Sequence, residues 1–199
     1  MTTIAISDGF IVADGLRTWG SEIRGRAHKK IRVVGSLIYA FTGLVPMQEP
    51  MIEWHRAGAD PTKLPHGAAD DKHGGWTLIV IDKDGIGKYT DGCPYLERFD
   101  PPIAFGAGQD YAIGAMLVGA SAQHAVEAVA SLCNHTGGEI QVVDIASVLG
   151  AARKNGAARS QTKNVITGTW TKRDDKAAKF AKVAARPRPF SRMRRRSAT

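Results

Sequence analysis

The sequence predicts an α+β domain built from layered sheets and followed by a basic tail. Three observations carry this expectation. Strand-like segments come in hairpin pairs, two helical segments stand side by side instead of alternating with strands, and charge divides sharply along the chain.

The elements follow in order. "TTIAIS" alternates in part and returns as "FIVAD" across Asp8-Gly9, a strong two-residue hairpin signal. "KKIRVV" and "LIYAFT" turn at Gly35-Ser36. "PMQEPMIEWHRAG" reads as a helix from about Glu49 that ends near Gly58. "LPHGAADDKHGG" is a loop, and "WTLIVID" and "IGKYTD" flank "KDG" as a further hairpin. "PPIAFGAG" is a short strand running into glycines. Two helices come next, "QDYAIGAMLVGA" and "SAQHAVEAVASLCNH", the latter with Ser121 as N-cap. "GGEIQVVDI" is a closing strand. From Ala151 the pattern dissolves: "KRDDKAAKFAKVAAR" has the makings of a short helix, and "RPRPFSRMRRRSAT" reads as disordered. The expected division is a domain over 1–150 and a tail over 151–199.

Composition narrows the class. At 199 residues and 43% hydrophobic the chain suits one soluble domain with a sizeable core. No apolar run approaches membrane-spanning length, and the first residues lack the basic and apolar regions of a secretory signal. Cys93 and Cys133 make neither a disulfide framework nor a CxxC pair, so a reducing cytoplasm is expected. The net charge of +8 conceals two parts. Residues 151–199 hold fifteen Lys/Arg against two Asp/Glu, and the first 150 hold twelve against seventeen.

The opening "MTTIAIS" raises a chemical possibility. With Met1 removed, Thr2 carries a hydroxyl and a free α-amine on one residue, a nucleophile with its own base. Such a nucleophile needs a cation to depress the amine pKa and a backbone N–H for the oxyanion. Strand-end residues offer both: Lys30, oriented by Asp14, and Gly43. Taken alone these residues are weak, because any sheet protein scatters Asp, Lys and Gly at strand ends. Thr3 reads as structural, Lys29 as a solvated neighbour, and Arg17 as a residue at the cleft or surface.

The ordered pattern "TTIAI…IVADGLRTWG…KKI…AFTG" closely resembles the proteasome β subunits and the related bacterial ATP-dependent protease subunit. Within that group it is most similar to short, propeptide-free forms of bacteria and their phages. The resemblance runs over about residues 2–145, continuing through "FGAGQDYAIGAMLVGASAQHAVEAV" and "CNHTGGEIQVV". It implies a four-layer αββα sandwich of the N-terminal-nucleophile class and a threonine endopeptidase. Thr2 matches the nucleophile, Asp14 the family aspartate, and Lys30, sixteen residues further on, the family lysine. Gly43 matches the oxyanion glycine, Thr18 the substrate-binding threonine, and Phe41 a residue lining the specificity pocket, although a core aromatic serves equally well for Phe41.

Two positions depart from the family. Its "GSG" is Gly106-Ala107-Gly108 here, which removes the serine that supports the terminal amine. Its "R-D-x-x-S-G-G" is Leu132-Cys133-Asn134-His135-Thr136-Gly137-Gly138, where Thr136 supplies a hydroxyl and Cys133 replaces the aspartate. The bacterial protease subunit has a Cys and a Thr at similar places. Two readings therefore stand: an active peptidase, and an inactive structural or assembly subunit with a polyanion-binding tail.

The resemblance implies polypeptide substrates, a homo-oligomeric ring or open helix, an ATP-driven unfoldase as partner, and no metal or organic cofactor. It also implies a bacterial cytoplasm, or the host cytoplasm or virion for a phage protein. The tail offers electrostatic attachment to nucleic acid, sequence-tolerant because only Trp170, Phe180 and Phe190 are aromatic; a docking peptide or a solvated tail are the alternatives. His66 and His73 flank Asp70 and Asp71 in one loop, but the spacing matches no ligand set and a polar surface loop is expected. Neither "GAGQDYAIG" nor "DGIGK" has the spacing of a nucleotide-binding loop.

Overall fold

Two strands show how the layers arise. The computed structural model describes residues 2–65 and 75–154. In it β1 (Thr3–Ser7) is buried along its whole length and β6 (Leu37–Thr42) over its middle four residues. Successive side chains of a strand point to opposite faces, so Ile4 and Ile6 enter one core while Ala5 enters another. Ile38 and Ala40 likewise part company with Tyr39 and Phe41.

β1 lies in a four-stranded antiparallel sheet, between β2 (Phe10–Ala13) and β10 (Ile103–Gly106), with β11 (Gln141–Asp144) beyond β2. β6 lies in a five-stranded meander of β5 (Ile31–Val34), β6, β7 (Thr77–Asp82), β8 (Gly85–Thr90) and β9 (Cys93–Phe99). Ile4, Ile6 and Ile11 meet Ile38, Ile79 and Ile81 between the sheets. On the outer face of the meander, α1 (Gln48–Arg56) lays Met51, Ile52 and Trp54 against Tyr39, Leu78 and Val80. On the outer face of the other sheet, α2 (Gln109–Leu117) and α3 (Ala122–Leu132) cover Ala5, Val12 and Ala104. The result is the four-layer αββα sandwich.

Local signals act as expected at two points. Asp8 and Gly9 take φ of 52° and 81°, the left-handed pair that closes a tight hairpin. The Ser121 hydroxyl accepts the His124 N–H and caps α3.

Three elements go beyond the sequence reading. A small hairpin, β3 (Arg17–Trp19) with β4 (Glu22–Gly25), rises between Asp14 and Lys30. β9 adds an edge to the meander. The chain after β11 turns into α4 (Ile145–Lys154), whose Ile145, Val148 and Leu149 pack on the inter-sheet core at helical spacing. Asp144 starts this helix by accepting the Ser147 N–H. α4 carries the chain past residue 150, where the sequence reading ends the domain. Met1, the loop bearing His66, Asp70, Asp71 and His73, and the tail from residue 155 onward, with its expected helix, lie outside the described residues.

No described helix is long and apolar enough to cross a membrane.

Candidate functional site

Thr2 stands at the head of β1, buried to 4% exposure. Its carbonyl accepts the Ala107 N–H at 2.7 Å, extending the β1–β10 pairing by one step. Gly106 makes this approach possible. Its φ is +96°, and a Cβ there would overlap the Thr2 carbonyl.

β2 delivers Asp14 to the same end of the sheet, fully buried. Its carboxylate accepts four hydrogen bonds. Oδ1 takes the Thr3 N–H and the Lys30 ammonium, both at 2.8 Å. Oδ2 takes the N–H groups of Leu16 and Gly137, both at 3.1 Å. Asp14 thereby fastens four segments: the start of β1, the turn after β2, the start of β5 and the 133–138 loop.

Lys30 is 3% exposed and leads into β5. Burial holds its ammonium below the ordinary lysine range, and the Asp14 carboxylate raises it again in part. Its backbone is pinned as well, because the Gln141 side-chain oxygen accepts the N–H of Lys30 and of Ile31 at 2.6 and 3.3 Å. Gln48 donates to the Lys29 carbonyl.

These residues border a small recess of about 30 Å³, lined by Thr2, Lys30, Gly43, Phe41, Thr18, Leu16, Arg17, His28 and Val45. Gly43 sits at φ +109°, and a Cβ would overlap the backbone of Gly75 and Trp76. Phe41 belongs to the recess and also to the core under α1. Five residues expected from the sequence (Thr2, Thr18, Lys30, Phe41 and Gly43) thus share one recess, with Asp14 directly behind Lys30.

Thr136 is placed differently. Its hydroxyl meets Thr3 Oγ1 at 2.6 Å, in the buried layer beneath Thr2. Gly108 packs against this pair. Ala107 presents only a methyl beside Thr2.

The sequence reading did not single out His28, Gln48 or Gln141. His28 is half-buried. Burial lowers its pKa, the Lys30 and Arg17 cations lower it further, and Gln48 opposes them. Among the described residues no cluster of three or more His, Cys, Asp or Glu side chains could hold a metal ion.

No family model matches the chain, and no curated protein matches it. Solved structures do. Thiobacillus denitrificans BPH in complex with epoxomicin has a TM-score of 0.54 at 22% identity, covering 72% of this chain and 98% of that one. The same BPH in a second structure gives 0.51 at 21%, covering 72% and 97%. Eukaryotic HslV from Trypanosoma brucei gives 0.53 at 15%, covering 71% and 97%. At these identities the likeness is one of fold.

Proposed function

The chain has the proteasome-like, N-terminal-nucleophile hydrolase fold of these neighbours, and on that fold we propose that it is a threonine endopeptidase acting through Thr2 after loss of Met1. The observation that supports this most is the single recess holding Thr2, Lys30 and Gly43, with Lys30 locked to buried Asp14.

The chemistry follows from the residues. Thr2 Oγ attacks a peptide carbonyl, and its proton passes to the Thr2 α-amine. Lys30 disfavours protonation of that amine by its charge, which suits the amine to act as base. The Gly43 N–H stabilises the oxyanion. Collapse of the tetrahedral intermediate releases the amine product, protonated from the α-amine, and leaves an ester on Thr2. Water, activated by the same amine, hydrolyses the ester. Asp14, with all four of its contacts inside the protein, orients Lys30 and takes no proton in this scheme.

A ring or helical homo-oligomer fed by an ATP-driven unfoldase belongs to the same proposal. One observation favours a second reading. The methyl of Ala107 stands where the family pattern has a hydroxyl, and this favours an inactive assembly subunit.

Epoxomicin, held by the Thiobacillus BPH, is the direct probe. The Met1-processed chain should gain one epoxomicin mass located on Thr2, and Thr2→Ala should gain none. Absence of both labelling and peptide cleavage in processed, assembled protein across neutral pH would select the second reading.

A further inference from the structure

The recess beside Thr2 adjoins a larger cavity of about 520 Å³ beneath the β3–β4 hairpin, and Leu16 and Thr18 line both. Among the described residues, the charged side chains that line this combined cleft are all basic. Arg17, His28 and Lys30 line the recess, and Arg26 and His135 line the larger cavity. Among the described residues neither lining includes an Asp or Glu.

That is unusual for this domain, whose first 150 residues hold more Asp and Glu than Lys and Arg. Elsewhere on the surface arginines find carboxylates: Arg24 pairs with Glu22, Arg32 with Glu49 and Arg98 with Asp82. Among the described residues Arg17 and Arg26 have no ion-pair partner. An arginine fork presents donors matched to a carboxylate. The recess is small, which suits the compact head of an acidic side chain better than an aromatic ring.

We propose that this cleft selects acidic peptides, with an Asp or Glu side chain seated in the recess between Arg17 and His28 and further acidic residues running past Arg26. This rests on the peptidase reading above and names its substrate class. Arg17 is the principal specificity residue. It is an exposed residue that lines the recess, while the charge of Lys30 is already engaged by Asp14. His28 lines the same recess and supplies an imidazole N–H.

Two measurements on the full, Met1-processed chain test it. The first is kcat/KM for peptides that differ only in Glu, Leu or Lys before the cleaved bond. Glu should lead by roughly tenfold, the scale of one charge-assisted hydrogen bond, and Arg17→Glu should reverse the order of Glu and Lys. The second is equilibrium binding of the uncleaved Glu and Lys peptides to Thr2→Ala and to Thr2→Ala/Arg17→Glu. The basic tail is common to both proteins and drops out of the difference. Cleavage without a Glu preference, or a preference untouched by Arg17→Glu, overturns the acidic assignment and leaves the peptidase standing. Arg17-dependent binding without cleavage or epoxomicin labelling overturns the peptidase and keeps the acidic cleft. Loss of both overturns both.

Discussion

The Lys30 ammonium lies 2.8 Å from Asp14 Oδ1, with the two side chains 4% and 0% exposed. Removing one partner of such a buried pair leaves the other uncompensated, at a cost of about 3–5 kcal/mol. The two partners are unequal here. Asp14→Ala takes a partner from the Lys30 ammonium and from the N–H groups of Thr3, Leu16 and Gly137 together, whereas Lys30→Met leaves the carboxylate three backbone donors. Asp14→Ala should therefore reach the upper part of that range and Lys30→Met fall at or below its lower end. Urea unfolding of the three proteins checks the order, and equal losses would deny Asp14 its role as the fastening point.

Thr3 and Thr136 offer a second energetic test. Their hydroxyls share a 2.6 Å hydrogen bond in a buried layer. Thr3→Val should destabilise by about 1–3 kcal/mol, because the Thr136 hydroxyl loses its partner while staying buried. Replacing both by valine removes both polar groups and should recover much of that loss. The cycle is read by thermal or urea unfolding. A double variant as unstable as the sum of the singles would mean that the hydroxyls serve separate partners.

How much of this was legible depended on whether the signal was local. Asp8-Gly9 and Ser121 act through their own neighbours in sequence, so turn and cap could be read directly. The β3–β4 hairpin could not, because Arg17–Trp19 and Glu22–Gly25 are largely exposed and carry no alternation. α4 hides its three core contacts directly behind a strand. In the site, Thr2, Asp14, Lys30 and Gly43 were singled out through the family resemblance of their ordered pattern, and Thr2, Lys30 and Gly43 line one recess. His28, Gln48 and Gln141 are ordinary polar residues given meaning only by what folds against them. The partner of Thr136 is set by the 133–138 loop, which Asp14 and Gly15 hold through Gly137, and no spacing encodes that.

Acid should weaken the fold before the carboxylates titrate. Burial lowers the pKa of both His28 and His55 below 6.5. Around His28 stand Lys30, Arg17, Arg32 and Gln48; around His55, Tyr39, Tyr89, Asp82 and Arg98. The unfolded chain then binds more protons than the folded one just below pH 6.5, so stability rises with pH across that window. It is fully present above pH 6.5 and is lost as pH falls through the folded values. Urea midpoints should drop from pH 7.5 to 5.5, and His55→Gln should flatten the slope. An unchanged slope in that variant would remove His55 from the account.

The basic tail should give the chain weak, sequence-tolerant affinity for nucleic acid. Its thirteen Lys/Arg against two Asp/Glu from residue 155 onward predict binding that falls with salt, with a log–log slope of roughly −0.7 to −0.9 per phosphate engaged. Because α4 extends to Lys154, the truncation should remove residues 155–199 and keep that helix whole. Fluorescence anisotropy at several salt concentrations should show binding by the full chain and little by the truncated one. Equal binding by both would place the contact on the domain.

Ala107 decides between the two functional readings. Its N–H already donates to the Thr2 carbonyl, so its side chain leaves the backbone within one residue of the proposed reacting amine. A serine there adds a hydroxyl able to hold that amine, as the family pattern does, without disturbing the glycines on either side. A neutral hydrogen bond is worth about 1 kcal/mol, or roughly fivefold in rate. Ala107→Ser should raise the rate of epoxomicin labelling and peptide cleavage by about that factor if the native chain is active through an incomplete proton shuttle. If the native chain is inert and Ala107→Ser is active, the lost hydroxyl alone has retired the enzyme. If both are inert although Met1 is gone and the protein is assembled, the defect lies elsewhere in the cleft and the assembly-subunit reading holds.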